Sequence, residues 1–206
     1  MNKKHKHHNE TLKSIEMRRS IRVFADRKLD PGFIYTMLEA ANHAPSAHNQ
    51  QSWRFIIIEG ETKSKLVDLV SAKSNNFPRP SSVLLRMAAR SIASAPVVIA
   101  VINTGKLIQH GTELFKIEKE KAHDFFRVME IQSSAAAVQN LLLAATSLGL
   151  ATVWLGILIL IKDDIEELLG EPHGEFMAVV PVGYHAVKSG VGPHKKPVEM
   201  VVKHVR

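Results

Sequence analysis

Apolar positions along this chain recur at two spacings, and the alternation between them predicts the elements. Behind Asp30 and Pro31, the residues Phe33, Ile34, Met37, Leu38 and Ala41 fall at helical intervals. A helix is therefore expected from Pro31, capped by Asp30 and ending before Pro45. "SWRFIIIEG", "APVVIAVIN" and "FMAVVPVGY" are continuous apolar runs of strand length, and each reads as a buried strand. Helices are expected from about Glu61 to Lys73 and from about Ser81 to Ala93, with "NNFPRP" breaking the chain between them. A long helix from about Ala122 to Leu148 ends at Gly149, "ATVW" is a short strand and "KDDIEELL" a short helix. Thr11 is placed to cap a first helix through Arg19, with Leu12 and Ile15 facing inward. Residues 104–121 are polar and without period, and read as a loop or lid. The final "KPVEMVVKHV" is strand-like and set apart by Gly190, Gly192 and Pro193.

Within the long helix, "SSAAAVQNLLLAATSLG" is apolar on nearly every side, so it is surrounded rather than laid on a surface. The pattern fits a central core element and a homodimer interface equally well. The chain of 206 residues suits one domain, placed at 11–206 after a disordered basic and His-rich tail over 1–10. No cysteine is present, which excludes disulfides, thiolate metal sites and cysteine nucleophiles. The histidines of "MNKKHKHHNE" have no acidic or cysteine partners at ligand spacing, so no metal site is expected. No apolar run approaches the roughly 20 residues that span a bilayer, and the start has no signal-peptide core; a soluble, cytoplasmic protein with no membrane partner is the expectation.

The formal charge of +7 changes this picture less than its size implies. The excess sits at the ends, in Lys3, Lys4 and Lys6 and in Lys188, Lys195, Lys196, Lys203 and Arg206. A duplex-binding domain presents a basic face built on its fold, so local anion contacts are favoured over a nucleic-acid surface. The sharpest local signal is "RRSIRVF", three guanidinium groups within five residues at the end of the first helix. Cations there complement a helix dipole by a few tenths of a kcal/mol without any function. No glycine-rich phosphate loop exists in the chain, however, so a bound phosphate would need side chains, and the planar fork of Arg suits its oxygens best. "APSAHNQQSWRF" adds a loop of donors and acceptors suited to a flat heteroaromatic edge.

Taken in order, "RRSIRVF", "APSAHNQQSWRF", "SLGLATVWLG", "VVPVGYHA" and a basic "KKP" resemble the FMN-dependent nitroreductase family over about Thr11 to Val205. The resemblance implies an α+β fold: a three-layer α/β/α sandwich around a mixed, mainly antiparallel sheet, in an intertwined homodimer whose C-terminal strands exchange between partners. It implies that Arg18, Arg19, Ser20 and Arg22 contact the phosphate, ribityl chain and pyrimidine edge of FMN. Pro45, Ser46, Ala47 and Asn49 would reach FMN from the partner, and Leu155 and Gly156 would lie against its reactive centre, with the Gly156 N–H a donor to N5. Lys195 and Lys196 both fit the basic position that helps hold phosphate.

The activity so implied is transfer of hydride from NAD(P)H through flavin N5 to a nitroaromatic, quinone or similar planar acceptor, in ping-pong order. The cofactor carries the chemistry, so no protein residue is expected as nucleophile or general base, and His43 and His48 read as polar or capping residues. The chain departs from the family at Ser52, where Pro is frequent, and at the terminal lysines, where Arg is. A flavin-binding storage or sensing protein would share every cofactor contact. Flavin-destructase and dehalogenase branches share the fold, and a nucleic-acid module built on the basic ends is a third class.

Overall fold

The structure is a computed structural model that describes residues 9–115, 118–187, 192 and 194–205. The His-rich start over 1–8, together with Gly190 and Pro193, lies outside the described residues.

Four strands, β1 (Trp53–Ile58), β2 (Val97–Asn103), β3 (Ala151–Thr152) and β4 (Glu175–Gly183), form one sheet in the order β1-β2-β4-β3. Every neighbouring pair is antiparallel, and the register between β2 and β4 shifts between Val101 and Ile102. A single parallel bridge, Ser20 to Thr152, extends the β3 edge and makes the sheet mixed there.

Central position explains why β2 reads as a continuous apolar run: both of its faces are covered. Val98, Ala100 and Ile102 pack with Leu66 and Val70 of α3 (Gly60–Ser74), Leu85 and Ile92 of α4 (Ser81–Ser94) and Ile165 of α7 (Lys162–Leu168). Val97, Ile99 and Val101 pack with Met37 and Ala41 of α2 (Pro31–Asn42) and with Val138, Leu141 and Ala145 of α6 (Lys119–Ser147). Successive side chains of one strand thus feed two separate cores, and the result is the expected three-layer sandwich. The Asp30 side chain accepts from the Gly32 N–H, as the cap reading requires. Gly149, at φ +74°, lets the chain leave α6 in the left-handed region.

Four expectations need correction. The first helix, α1 (Glu10–Met17), starts ahead of Thr11, because the Asn9 side chain accepts from the Leu12 N–H, and it ends at Met17, short of Arg19. Leu12 and Ile15 do not face inward; α1 buries no residue and packs against α6, and no further element among the described residues covers it. Residues 104–121 are not a loop: α5 (Lys106–Phe115) forms there and packs on the start of α6. It does so through Leu107, Ile108 and Gly111 against Phe126 and Met129, and its apolar positions 107, 108, 111, 114 and 115 do fall at helical spacing. Finally, "KPVEMVVKHV" forms only a 3₁₀ turn at Val198–Met200, and its apolar side chains are exposed. A strand needs a partner edge, and none of the described residues supplies one.

The long helix is also less enclosed than its composition implies. Its inner face, from Phe126 through Val138 to Ala145, is buried, while Ala135, Leu143 and Ala144 are half-buried and Gln139 is exposed.

Candidate functional site

The basic motif is positioned by strand pairing rather than by helix. After Met17 the chain turns extended at Arg18 (φ −54°, ψ 130°), and the Ile21 N–H donates to the Thr152 carbonyl at 2.9 Å. Further along, Phe24 pairs with His185, and the Ala25 N–H donates to the Tyr184 carbonyl at 2.9 Å. Ile21 and Phe24 pack into the core, while Ser20, Arg22 and Val23 are left exposed. That fold-back answers why charge should crowd before an apolar turn: the apolar residues are anchors, and the polar ones between them are displayed.

Arg18, Arg19, Ser20 and Arg22 line one cleft of about 1060 Å³, together with Trp154, Gln139 and Leu142. Of the two terminal lysines, Lys195 lines this cleft, which distinguishes it from Lys196. Among the described residues, Glu16 is the one carboxylate on the lining. Arg19 also serves the helix end, since its Nη1 donates to the Glu16 carbonyl at 2.5 Å and to the Arg18 carbonyl at 2.9 Å. Gly192 passes directly over it: a Cβ there would lie 2.3 Å from Arg19 Nε. The Arg22 guanidinium reaches only the Ser20 carbonyl, at 3.5 Å.

Leu155 and Gly156 follow the cleft residue Trp154. Leu155 turns its side chain into the core and donates its N–H to the Val179 carbonyl at 3.0 Å, so whatever it offers a ligand is not its side chain. Gly156 is exposed and opens the 3₁₀ turn Gly156–Ile161, where a first N–H has no partner within the turn. Among the described residues, nothing beyond its two chain neighbours comes within 4 Å of the place a Cβ would take.

Pro45, Ser46, Ala47 and Asn49 do not join that cleft. Their loop is tied to α6 by the Ala47 N–H, which donates to Ser133 Oγ at 3.1 Å, and is closed by the Gln51 N–H on Ser46 Oγ at 3.0 Å. His48, Asn49 and Gln51 hold φ of 52°, 52° and 47°, a left-handed conformation that such residues keep only under constraint. The constraint on His48 is aromatic: its ring lies 5.7 Å from Phe115 and 6.2 Å from His110 of α5. A polar or capping role, the sequence reading of His48, omitted this cluster, because the residues meet only once α5 folds down.

Two buried carboxylates are displaced upward from their ordinary pKa by burial, and neither lines the cleft. Glu166 accepts the Phe176 N–H at 2.5 Å and ties α7 to β4. Glu130 accepts the Leu107 N–H at 2.8 Å at the start of α5. Among the described residues no cluster of His, Asp or Glu is built to hold a metal, and no helix is long and apolar enough to cross a membrane. Trp154 and Gln139 were not singled out from the sequence, although "TVWLG" carries the former; the polarity of Gln139 within the apolar run "SSAAAVQNLLLAATSLG" was the available signal for the latter.

A model of the nitroreductase family matches residues 15–184. A protein of Archaeoglobus fulgidus, provisionally named an NADH dehydrogenase/NAD(P)H nitroreductase, is 31% identical over 180 residues, covering 85% of each chain. An iodotyrosine dehalogenase 1 homolog of Caenorhabditis elegans is 27% identical over 203 residues, covering 92% of this chain and 59% of its own. Among solved structures, a provisionally assigned nitroreductase of Desulfovibrio desulfuricans in complex with FMN is 26% identical, with a TM-score of 0.71 over 97% of this chain and 99% of that one. The strand order, the basic cleft at the β3 edge and this match over most of the length agree, and the chain belongs to the nitroreductase family.

Proposed function

We propose that the protein is an FMN-dependent NAD(P)H oxidoreductase that reduces a nitroaromatic, quinone or similar planar acceptor, and that it works as a homodimer. The observation that carries the reading is the convergence of Arg18, Arg19, Arg22 and Lys195 on one cleft beside Trp154. FMN fits this donor set. Its phosphate needs charge-assisted donors, which a chain without a glycine-rich loop must supply from side chains, and its ring system needs a flat, partly apolar wall. When bound, FMN supplies acceptance of hydride at N5 and its delivery to a second substrate in the same cleft, in ping-pong order.

The chain's own residues do the rest. Lys195, Arg18 and Arg19 hold the phosphate and ribityl side, with Arg19 kept in place by the carbonyls of α1 and by Gly192 above it. Arg22, further along the extended segment, faces the pyrimidine edge; its guanidinium stays charged at any working pH, so it stabilises negative charge and moves no proton. The Gly156 N–H, at the open start of its turn, would be the donor to N5, and Trp154, on the cleft lining, would wall the ring.

The homodimer reading rests on what one chain leaves uncovered. Leu12, Ile15 and Met17 of α1 and Val198, Met200, Val201 and Val205 of the terminal segment are all exposed. A second copy would cover them, and would bring its own Pro45, Ser46, Ala47 and Asn49 to the cleft that this chain's loop does not reach. The test is spectroscopic. Purified protein should show flavin absorption that NAD(P)H bleaches and that a quinone or nitroaromatic restores over repeated turnovers. A colourless protein, with no flavin taken up on reconstitution, refutes the reading. Flavin that bleaches without turnover on any acceptor makes it a storage or sensing protein.

A further inference from the structure

Beneath the start of α5 lies a polar group that the cleft does not use. Glu130 and Ser134, one turn apart on α6, face Asn103 at the end of β2 and Ser52 at the start of β1. All four are at least nine-tenths buried: Glu130 is 1% exposed and Asn103 0%. Their bonds are well formed on one side. Glu130 Oε1 accepts the Leu107 N–H at 2.8 Å, Ser134 Oγ donates to Asn103 Oδ1, and the Thr104 N–H donates to the Ser52 carbonyl at 3.0 Å.

On the other side, Glu130 Oε2, Asn103 Nδ2, Ser52 Oγ and Thr104 Oγ1 have no hydrogen-bond partner among the described residues. Ser52 Oγ and the Gly105 backbone lie near enough to favour the charged form of Glu130, neither meeting full hydrogen-bond geometry with it. Each buried polar group left unpaired costs about 1–3 kcal/mol, and four in one neighbourhood are not sustained by a folded protein without a common partner. The mixture of a carboxylate acceptor, an amide donor and two hydroxyls that can do either is the donor set a water molecule satisfies, at two to four bonds each.

We infer that Glu130, Ser52, Asn103 and Thr104 enclose a buried water-binding site at the root of α5, through which Glu130 acts as a positioning residue for α5 and the 46–52 loop. Both segments are fastened to the same stretch of α6. The α5 start hangs on Glu130, and the loop hangs on Ser133 through the Ala47 N–H, with Ser52 at its far end inside the polar group. Loss of the carboxylate therefore loosens two elements together. That the loop matters to a cofactor rests on the proposed function; the water site and the coupling do not.

The experiment uses the purified full-length protein, as isolated, with two readouts. A high-resolution crystal structure should show solvent density within about 2.6–3.2 Å of Glu130 Oε2 and of at least two of Asn103 Nδ2, Ser52 Oγ and Thr104 Oγ1. A dry site, with the four atoms paired to one another, overturns the inference. Native-state hydrogen exchange then tests the coupling. Glu130→Leu should accelerate the amides of 105–113 and 47–52 together, by roughly tenfold or more, while β2 and β4 exchange as before. Glu130→Gln, which keeps an oxygen for Leu107, should restore protection in both segments. Uniform acceleration across the sheet, or Glu130→Gln behaving as Glu130→Leu does, makes the residue merely structural and refutes the positioning role. If Glu130→Leu does not fold, Thr104→Val removes one partner of the water and should accelerate the same two segments; an unchanged exchange pattern overturns the site. Neither readout uses flavin or turnover, so their failure and that of the proposed function are separable.

Discussion

Gly111→Ala is the substitution where two physical effects oppose each other most directly. Alanine in a helix interior is favoured over glycine by about 0.5–1 kcal/mol, so propensity alone predicts stabilisation. The structure predicts the reverse. A Cβ at Gly111 would lie 2.3–2.5 Å from three atoms of the Phe126 ring, well inside contact distance. The ring has little room to yield: it is fully buried, 5.0 Å from Phe125 and 5.5 Å from Phe115 centre to centre. Overpacking of this kind costs about 1–3 kcal/mol, so the net loss should be about 1–2 kcal/mol. For a chain of this size that lowers the melting temperature by about 2–8 °C. A double-mutant cycle isolates the cause. Phe126→Leu alone should destabilise by opening space, but should cost less, or nothing, in the Gly111→Ala background, with a coupling of about 1 kcal/mol. Chemical denaturation of the four proteins measures it. If Gly111→Ala raises stability, or if the two changes add, the close α5–α6 crossing is not what demands glycine.

Further outcomes follow from the same geometry. Burial, with Glu175 of β4 adding to it, raises the Glu130 pKa above its unfolded value, while the Arg127 side chain on the same helix is paired with Glu175. The folded protein therefore holds this proton more tightly, and the stability so conferred is full at low pH and lost as pH rises through the folded pKa. Glu130→Gln should flatten the fall in denaturation midpoint as pH rises above the ordinary carboxylate range, without abolishing it, since Glu166 shifts the same way. Arg22→Leu should retain FMN yet lower its reduction potential by about 30–65 mV, read by spectroelectrochemical titration, whereas Arg18→Leu should weaken FMN retention and leave the potential unchanged. Lys195→Ala should weaken FMN binding in a fluorescence titration, and Lys196→Ala should not.

What could be read from the sequence follows from where each element finds its partners. α2, β2 and β4 bury their apolar pattern inside one chain, so periodicity and caps such as Asp30–Pro31 located them closely; β1 was located by its apolar run, but as an edge strand it is buried only at Trp53 and Ile58 and leaves Ile57 exposed. α5 was missed although Leu107, Ile108, Gly111, Leu114 and Phe115 fall at helical spacing, because the polar Lys106, Gln109, His110, Thr112 and Glu113 between them made the stretch read as irregular. The inward faces expected for α1 and the strand expected at the C-terminus were misplaced for a different reason. Their apolar residues are real, but this chain offers them no surface. The basic residues of the cleft were legible as chemistry and as family pattern. That Lys195 joins them while Lys196 does not is a property of how the terminal segment returns, which no local spacing encodes.

The cleft also constrains its ligand by charge alone. Among the described residues, four cationic side chains and one carboxylate line this cleft of about 1060 Å³. Like charges brought together repel even near a surface, and neither Arg nor, at neutral pH, Lys escapes by losing its proton. Arg19 eases this in part by donating to helix carbonyls, as any cation at a helix C-terminus can. That bland role accounts for one guanidinium of the three. Arg22 reaches a single carbonyl at 3.5 Å, and it is displayed beside the others only because Ile21 and Phe24 are drawn into the core on either side of it. A helix end needs none of this fold-back. A dianionic group with a planar extension would fit it: the cluster would hold its phosphate end, and its ring would lie toward the exposed Arg22.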